Sequence, residues 1–162
     1  MSSYQGRSRQ GGPGGKGWQQ NSPQGVMPIK KPSDIDKNII NEGINNSHIE
    51  NLKAWGEYFA NDSGGKKVST SQLRKFFGEI KRIQADFENG KMDLVLLDPK
   101  IAYAVGRAKK DSGKSHRVKI EDFYNQISPL IGQIGYDKKK FKHFVQLCEA
   151  IVAYHKHFGG DS

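Results

Sequence analysis

Residues 68–87 read VSTSQLRKFFGEIKRIQADF, and this stretch decides the fold. Ser69 stands where its hydroxyl accepts from the amide of Gln72 while the Gln72 side chain reaches back to the Ser69 amide, the reciprocal pattern that opens a helix. Val68 and Leu73 flank that start as a hydrophobic staple. Behind it Leu73, Phe76, Phe77, Ile80, Ile83 and Phe87 recur at steps of three and four, one side of a helix. Arg74, Lys75, Lys81 and Arg82 fall on the other side. One helix therefore presents an apolar seam and a cationic face. Burying six such side chains contributes at most about 9–18 kcal/mol before chain entropy is subtracted, enough to anchor a core.

Working outward, the chain has 162 residues and a net charge of +9 that is unevenly spread. Residues 1–33 carry five cations and no acid, residues 34–65 sum to −4, and residues 120–162 sum to zero. Residues 66–119 hold fourteen Lys or Arg against six acids, a local +8 whose natural partner is phosphate. Residues 1–33 are rich in Gly, Gln, Ser and Pro and too poor in apolar surface to fold, so a disordered tail is expected there, followed by a helical domain over 34–159. Gly6-Arg7-Ser8-Arg9 has the composition of RNA-adhering tails, and a plain flexible extension fits it equally.

Ser33 or Asp34 opens an expected short helix over Ile35, Ile39, Ile40 and Ile44, and Ser47 a second through Leu52, Trp55, Tyr58 and Phe59 in which Gly56 is out of place. Asp98-Pro99 marks another start, with Asp98 as cap. In that helix Lys100, Tyr103 and Arg107 share a face. Lys109 to Lys119 reads as a basic loop. Val118 to Ile134 suggests a helix bent or broken by Pro129, and a last helix runs from Asp137 toward Gly159-Gly160. Strand alternation is almost absent, so the expected fold is all-α, a compact bundle of five to six helices.

The chemistry classes are narrow. Ala108 to Ser115 matches a relaxed phosphate loop centred on Gly113-Lys114-Ser115, but a helical pattern precedes it where that motif needs a strand. None of the five histidines pairs with Cys148 or a carboxylate at zinc-ligand spacing, so no metal or cofactor is expected. A lone cysteine fits a reducing cytosol. No apolar run is long enough to span a bilayer, and the N-terminus has no apolar signal region, so no membrane partner is expected.

Three segments stand out together: STSQLRKFFGEIKRIQ at 69–84, LDPKIAYAVGR at 97–107 and FVQLCEAIVAYHK at 144–156. In this order they resemble the small subunit of type III-A CRISPR effector complexes, over residues 35–158. The resemblance implies a non-catalytic helical subunit, present in several copies that associate with one another and with the other subunits. The copies would stack along guide RNA and target RNA, holding backbone while base pairing chooses sequence. Carried over by motif, Arg74, Lys75 and Arg107 are the first candidates for RNA contact. Lys81 and Arg82 follow from the charged face, and Lys66, Lys67, Lys109, Lys110 and Lys114 from the flanking loops. Glu149 and Tyr154 are expected to tie helices together. The Gly/Gln-rich tail departs from the compact family pattern. A free-standing basic module that binds nucleic acid generally is the alternative.

Overall fold

In the computed structural model, which describes residues 28–113 and 116–159, the organising stretch forms as its pattern requires. It is helix α3, Thr70–Ala85. Ser69 Oγ accepts from the Gln72 amide at 3.1 Å, Gln72 Oε1 accepts from the Ser69 amide at 2.8 Å, and Val68 and Leu73 are both buried. Before it come α1 (Ile39–Glu42) and α2 (Asn46–Ala60). After it come α4 (Phe87–Gly90), a 3-10 segment (Lys91–Leu96), α5 (Leu97–Ser112), α6 (Lys119–Ile134) and α7 (Lys138–His157). Five helices of 15 to 20 residues thus build the body, and the one extended pairing among the described residues is an isolated bridge between Lys66 and Val118.

α7 is the hub. Gly43 approaches the His143 ring and Gly56 approaches Tyr154, so α2 and α7 run in the same direction. α3 runs the opposite way, since Lys81 meets Glu149 and Phe87 stacks on Phe141 at 5.3 Å. An edge-and-face chain of rings, Trp55–Phe59–Phe123–Phe76, crosses from α2 through α6 to α3 with centroids 5.2–5.5 Å apart. His155 lies in the core with Nε2 2.7 Å from the Val68 carbonyl. Cys148 is buried there too, and burial pushes its thiol pKa well up.

Several sequence-based boundaries move. The first helix is a single turn, because the chain reverses at Gly43 with φ 85°; Ile35 is buried from extended chain instead. α2 is capped by Asn45, with His48 Nδ1 accepting from the Asn45 amide at 3.1 Å, not by Ser47. Asp98 lies inside the first turn of α5 and holds α6, accepting from Tyr124 Oη at 3.2 Å and from the Ser128 hydroxyl. α5 continues through Lys109 and Lys110, and α6 passes through Pro129 unbroken. Residues 1–27 of the expected tail lie outside the described residues. The stretch that follows already touches the body: Ile29 packs on the core, and the Ser33 carbonyl accepts from Trp55 Nε1 at 2.9 Å.

One polar knot sits between α2 and α6. Tyr58 Oη donates to Asp122 Oδ2 at 2.7 Å, and Arg117 Nη2 donates to both Asp122 oxygens at 2.9 Å. Beside it the buried Lys119 ammonium donates to the carbonyls of Tyr58, at 2.8 Å, and Asn61, and lies 4.2 Å from the Tyr58 ring centroid. Burial pushes the Asp122 pKa up, but the bonds from Tyr58 and Arg117 outweigh it and leave the carboxyl below its usual 3.8. Burial and the Asp122 bond push Tyr58 up to about 12 from 10.0. A depressed carboxyl stabilises the fold above its unfolded value, and that contribution is lost as pH falls through the folded value. A raised phenol stabilises below pH 10.0, and its contribution fades between there and about 12. Chemical denaturation against pH should therefore show stability falling below pH 3.8 and again above pH 10.0. Tyr58→Phe should flatten the alkaline arm; an alkaline arm of unchanged steepness in that variant would refute the assignment.

Candidate nucleic-acid interface

α3 and α5 lie antiparallel on the surface, and their charged stripes face each other. Arg82 of α3 donates to Asp93, just before α5, at 3.1 Å, while Glu79, one turn earlier in α3, accepts from Lys100 of α5 at 2.8 Å. Stepping back along α3 therefore steps forward along α5. Lys75 stands one turn before Glu79 on α3, and Tyr103 and Arg107 stand one and two turns beyond Lys100 on α5.

The two ends of this surface differ. At the far end the cations are engaged. Arg82 pairs with Glu79 and Asp93, and Lys100 with Glu79. Bonds from Lys100 and Arg82 hold the Glu79 carboxyl below its ordinary range. Lys81 pairs with Glu149 of α7 at 2.5 Å and lies 5.1 Å from the Phe77 ring centroid, so Glu149 does tie helices together. At the near end the cations are available. Arg74, Lys75 and Lys110 are exposed with no acid in ion-pair reach among the described residues. Arg107 has only a 3.9 Å approach from Asp111. Tyr103 is 73 % exposed on the α5 stripe that carries Lys100, Arg107 and Lys110.

The other candidates are placed as follows. Lys109, on α5 rather than in a loop, pairs with Glu121 at 2.5 Å and clasps α5 to α6. Lys66 is fixed by its backbone, its amide donating to the Arg117 carbonyl at 2.8 Å, and its side chain is exposed. Lys67 is half-buried, and its amide donates to Asp62 Oδ1 at 3.0 Å. Lys114 lies outside the described residues. Ala108 to Ser112, the first part of the phosphate-loop match, is helical, so it does not form the loop that motif requires.

The structure thus leaves Arg74, Lys75 and Lys110 exposed without an ion pair among the described residues, sets Arg107 and Lys110 on the same stripe of α5 as Tyr103, and engages Lys81, Arg82 and Lys109 in ion pairs that join neighbouring elements. Exposed pairs of this kind are worth about 0–1 kcal/mol. The first group is a surface that can meet phosphates with its charges already free and stack a base on an open ring.

A second basic cluster was missed in the sequence. Lys138, Lys139 and Lys142 are exposed and Lys140 half-buried at the start of α7, and among the described residues none pairs with an acid. The signal was the run Lys-Lys-Lys-Phe-Lys itself, hidden when charge was summed over 120–162.

A family model described as Csm2 Type III-A matches residues 46–161, which takes in α2 through α7. Comparison with curated proteins finds no match, and comparison with solved structures finds none.

Proposed function

Because the chain belongs to the Csm2 Type III-A family and so is a small subunit of a type III-A CRISPR complex, we propose that it is a non-catalytic RNA holder in that complex. Membership in a complex with other subunits displaces the free-standing module as a reading. Arg74, Lys75, Arg107 and Lys110 grip backbone phosphates of guide RNA or target RNA, and Tyr103 rests against a base or ribose. The observation that carries this is that Arg74, Lys75 and Lys110 are exposed without an ion pair among the described residues, with Tyr103 exposed on the α5 stripe, while Lys81, Arg82 and Lys109 are neutralised. Sequence choice belongs to base pairing, so the subunit needs point charges at helical spacing, not base-edge readers.

Association between copies is part of the same reading. Met92, Val95 and Tyr136 are each more than 60 % exposed, beside a cavity of 670 Å³ that Leu94, Pro99 and Ile131 help to line. Apolar surface of this kind suits a protein neighbour. No helix among the described residues is long and apolar enough to cross a membrane.

The test is Arg74→Ala with Arg107→Ala in the assembled complex. RNA affinity should fall and its dependence on salt should become shallower, by about 1.5 in the slope of log affinity against log salt. The melting temperature should stay within a degree or two, since both side chains are exposed. Equal retention of target RNA by the double variant and the parent at every salt concentration would overturn the proposal.

A further inference from the structure

The lysines that open α7 do nothing evident for the fold. Cations in the first turn of a helix oppose its dipole by about 0.3–1 kcal/mol each. One carboxylate answers them, Asp137 at the N-cap, and it is already engaged in accepting from the Lys140 amide at 2.9 Å. Lys138, Lys139 and Lys142 line a cavity of 450 Å³ together with Gln84, Phe87 and Phe141. Its floor is the stacked pair of Phe87 and Phe141, and the three lysines and Gln84 set their polar ends around that apolar floor. Because α3 and α7 are antiparallel, this cavity lies at the C-terminal end of α3, ten residues or about 15 Å along the axis from Arg74.

We infer that the Lys138–Lys142 cluster is a second phosphate-binding surface, which takes the backbone of an RNA strand at a point separate from the Arg74–Arg107 face. The inference rests on the RNA-holding role proposed above and deepens it: each copy grips RNA at two places. Two features suit the backbone of an RNA strand. Each compact lysine ammonium is a point charge that can meet a backbone phosphate without base-edge contact. Lys138 and Lys142, four residues apart on α7, present two charges about 5–6 Å apart at the Cβ, so neighbouring phosphates of one strand can be met together.

The experiment uses the full chain, alone and in the assembled complex, with a labelled mixed-sequence single-stranded RNA titrated across a range of salt. Lys138→Gln, Lys139→Gln and Lys142→Gln together should make the slope of log affinity against log salt shallower by about 2. A tenfold dilution of salt should then gain the variant about a hundredfold less affinity than it gains the parent. The melting temperature should hold or rise, since two of the charges removed, Lys138 and Lys139, oppose the helix dipole. An unchanged slope in the triple variant, while the Arg74/Arg107 variant loses RNA, overturns this inference alone. An unchanged slope in both overturns the RNA-holding role with it. An unchanged RNA slope combined with loss of the other subunits on purification reassigns the cluster to a protein interface and overturns it equally.

Discussion

Lys119→Met should lower the melting temperature by about 5–15 °C, the signature of roughly 2–4 kcal/mol lost from a domain of this size. Methionine fills nearly the same space, so packing alone predicts a small effect. The loss comes from the end of α2. The last carbonyls of a helix have no partner inside it. Here the Tyr58 and Asn61 carbonyls are answered by one ammonium that reaches across from the first residue of α6. Without it the Asn61 carbonyl loses the ammonium and the Tyr58 carbonyl keeps only the long 3.5 Å bond from the Asn61 amide, at about 1–3 kcal/mol each. Part of that is recovered, because burial holds the Lys119 pKa below its ordinary value and its charge is therefore carried at a desolvation penalty. Lys110→Met, on an exposed side chain, is the control and should change stability by less than about 0.5 kcal/mol. A shift in Lys119→Met no larger than in that control would mean that water can replace the ammonium.

Gly56→Ala and Gly78→Ala should move stability in opposite directions. Both glycines are inside helices, where alanine is better by about 1 kcal/mol. A Cβ on Gly78 meets nothing within 4 Å, so that substitution should stabilise by about 0.5–1 kcal/mol. A Cβ on Gly56 would stand 2.3 Å from the Tyr154 Cβ and 2.9 Å from the His155 backbone nitrogen. Main chain cannot swing aside as a side-chain tip does, so α2 and α7 must part along their contact. We expect a net loss of about 2 kcal/mol or more, read by urea denaturation of both variants. Equal and positive shifts would place the α2–α7 crossing elsewhere.

These two substitutions show where a linear reading stops. α3 is legible because each contact that makes its cap, staple and stripe joins residues no more than five positions apart. Gly56 looked like a flaw in α2 because the reason for it, Tyr154, is 98 positions away. Lys119 looked like one more cation of a basic stretch, while the carbonyls that require it belong to residues 58 to 61 positions earlier. The cationic face followed the same rule. Its angular grouping was readable from helical spacing. Which members stay free was not, since Lys81 is neutralised by Glu149, 68 residues on, and Glu79 takes both Arg82 and Lys100. Lys109 and Lys110 sit in a polar run that reads as a loop, but the outward side of a surface helix is polar as well. The α7 lysines vanished in an average: Glu121 and Asp122, counted against them, are spent on Lys109 and on Tyr58 and Arg117.

The burial of Cys148 has a practical corollary. It is the chain's one cysteine, and in the folded state its thiol is both covered and held in the protonated form, so a maleimide should pass it by. A handle such as Gly78→Cys, on open helix surface, would then carry a fluorophore at a single known position without any background substitution. The native thiol would serve as an internal clock, labelled only when the whole body opens.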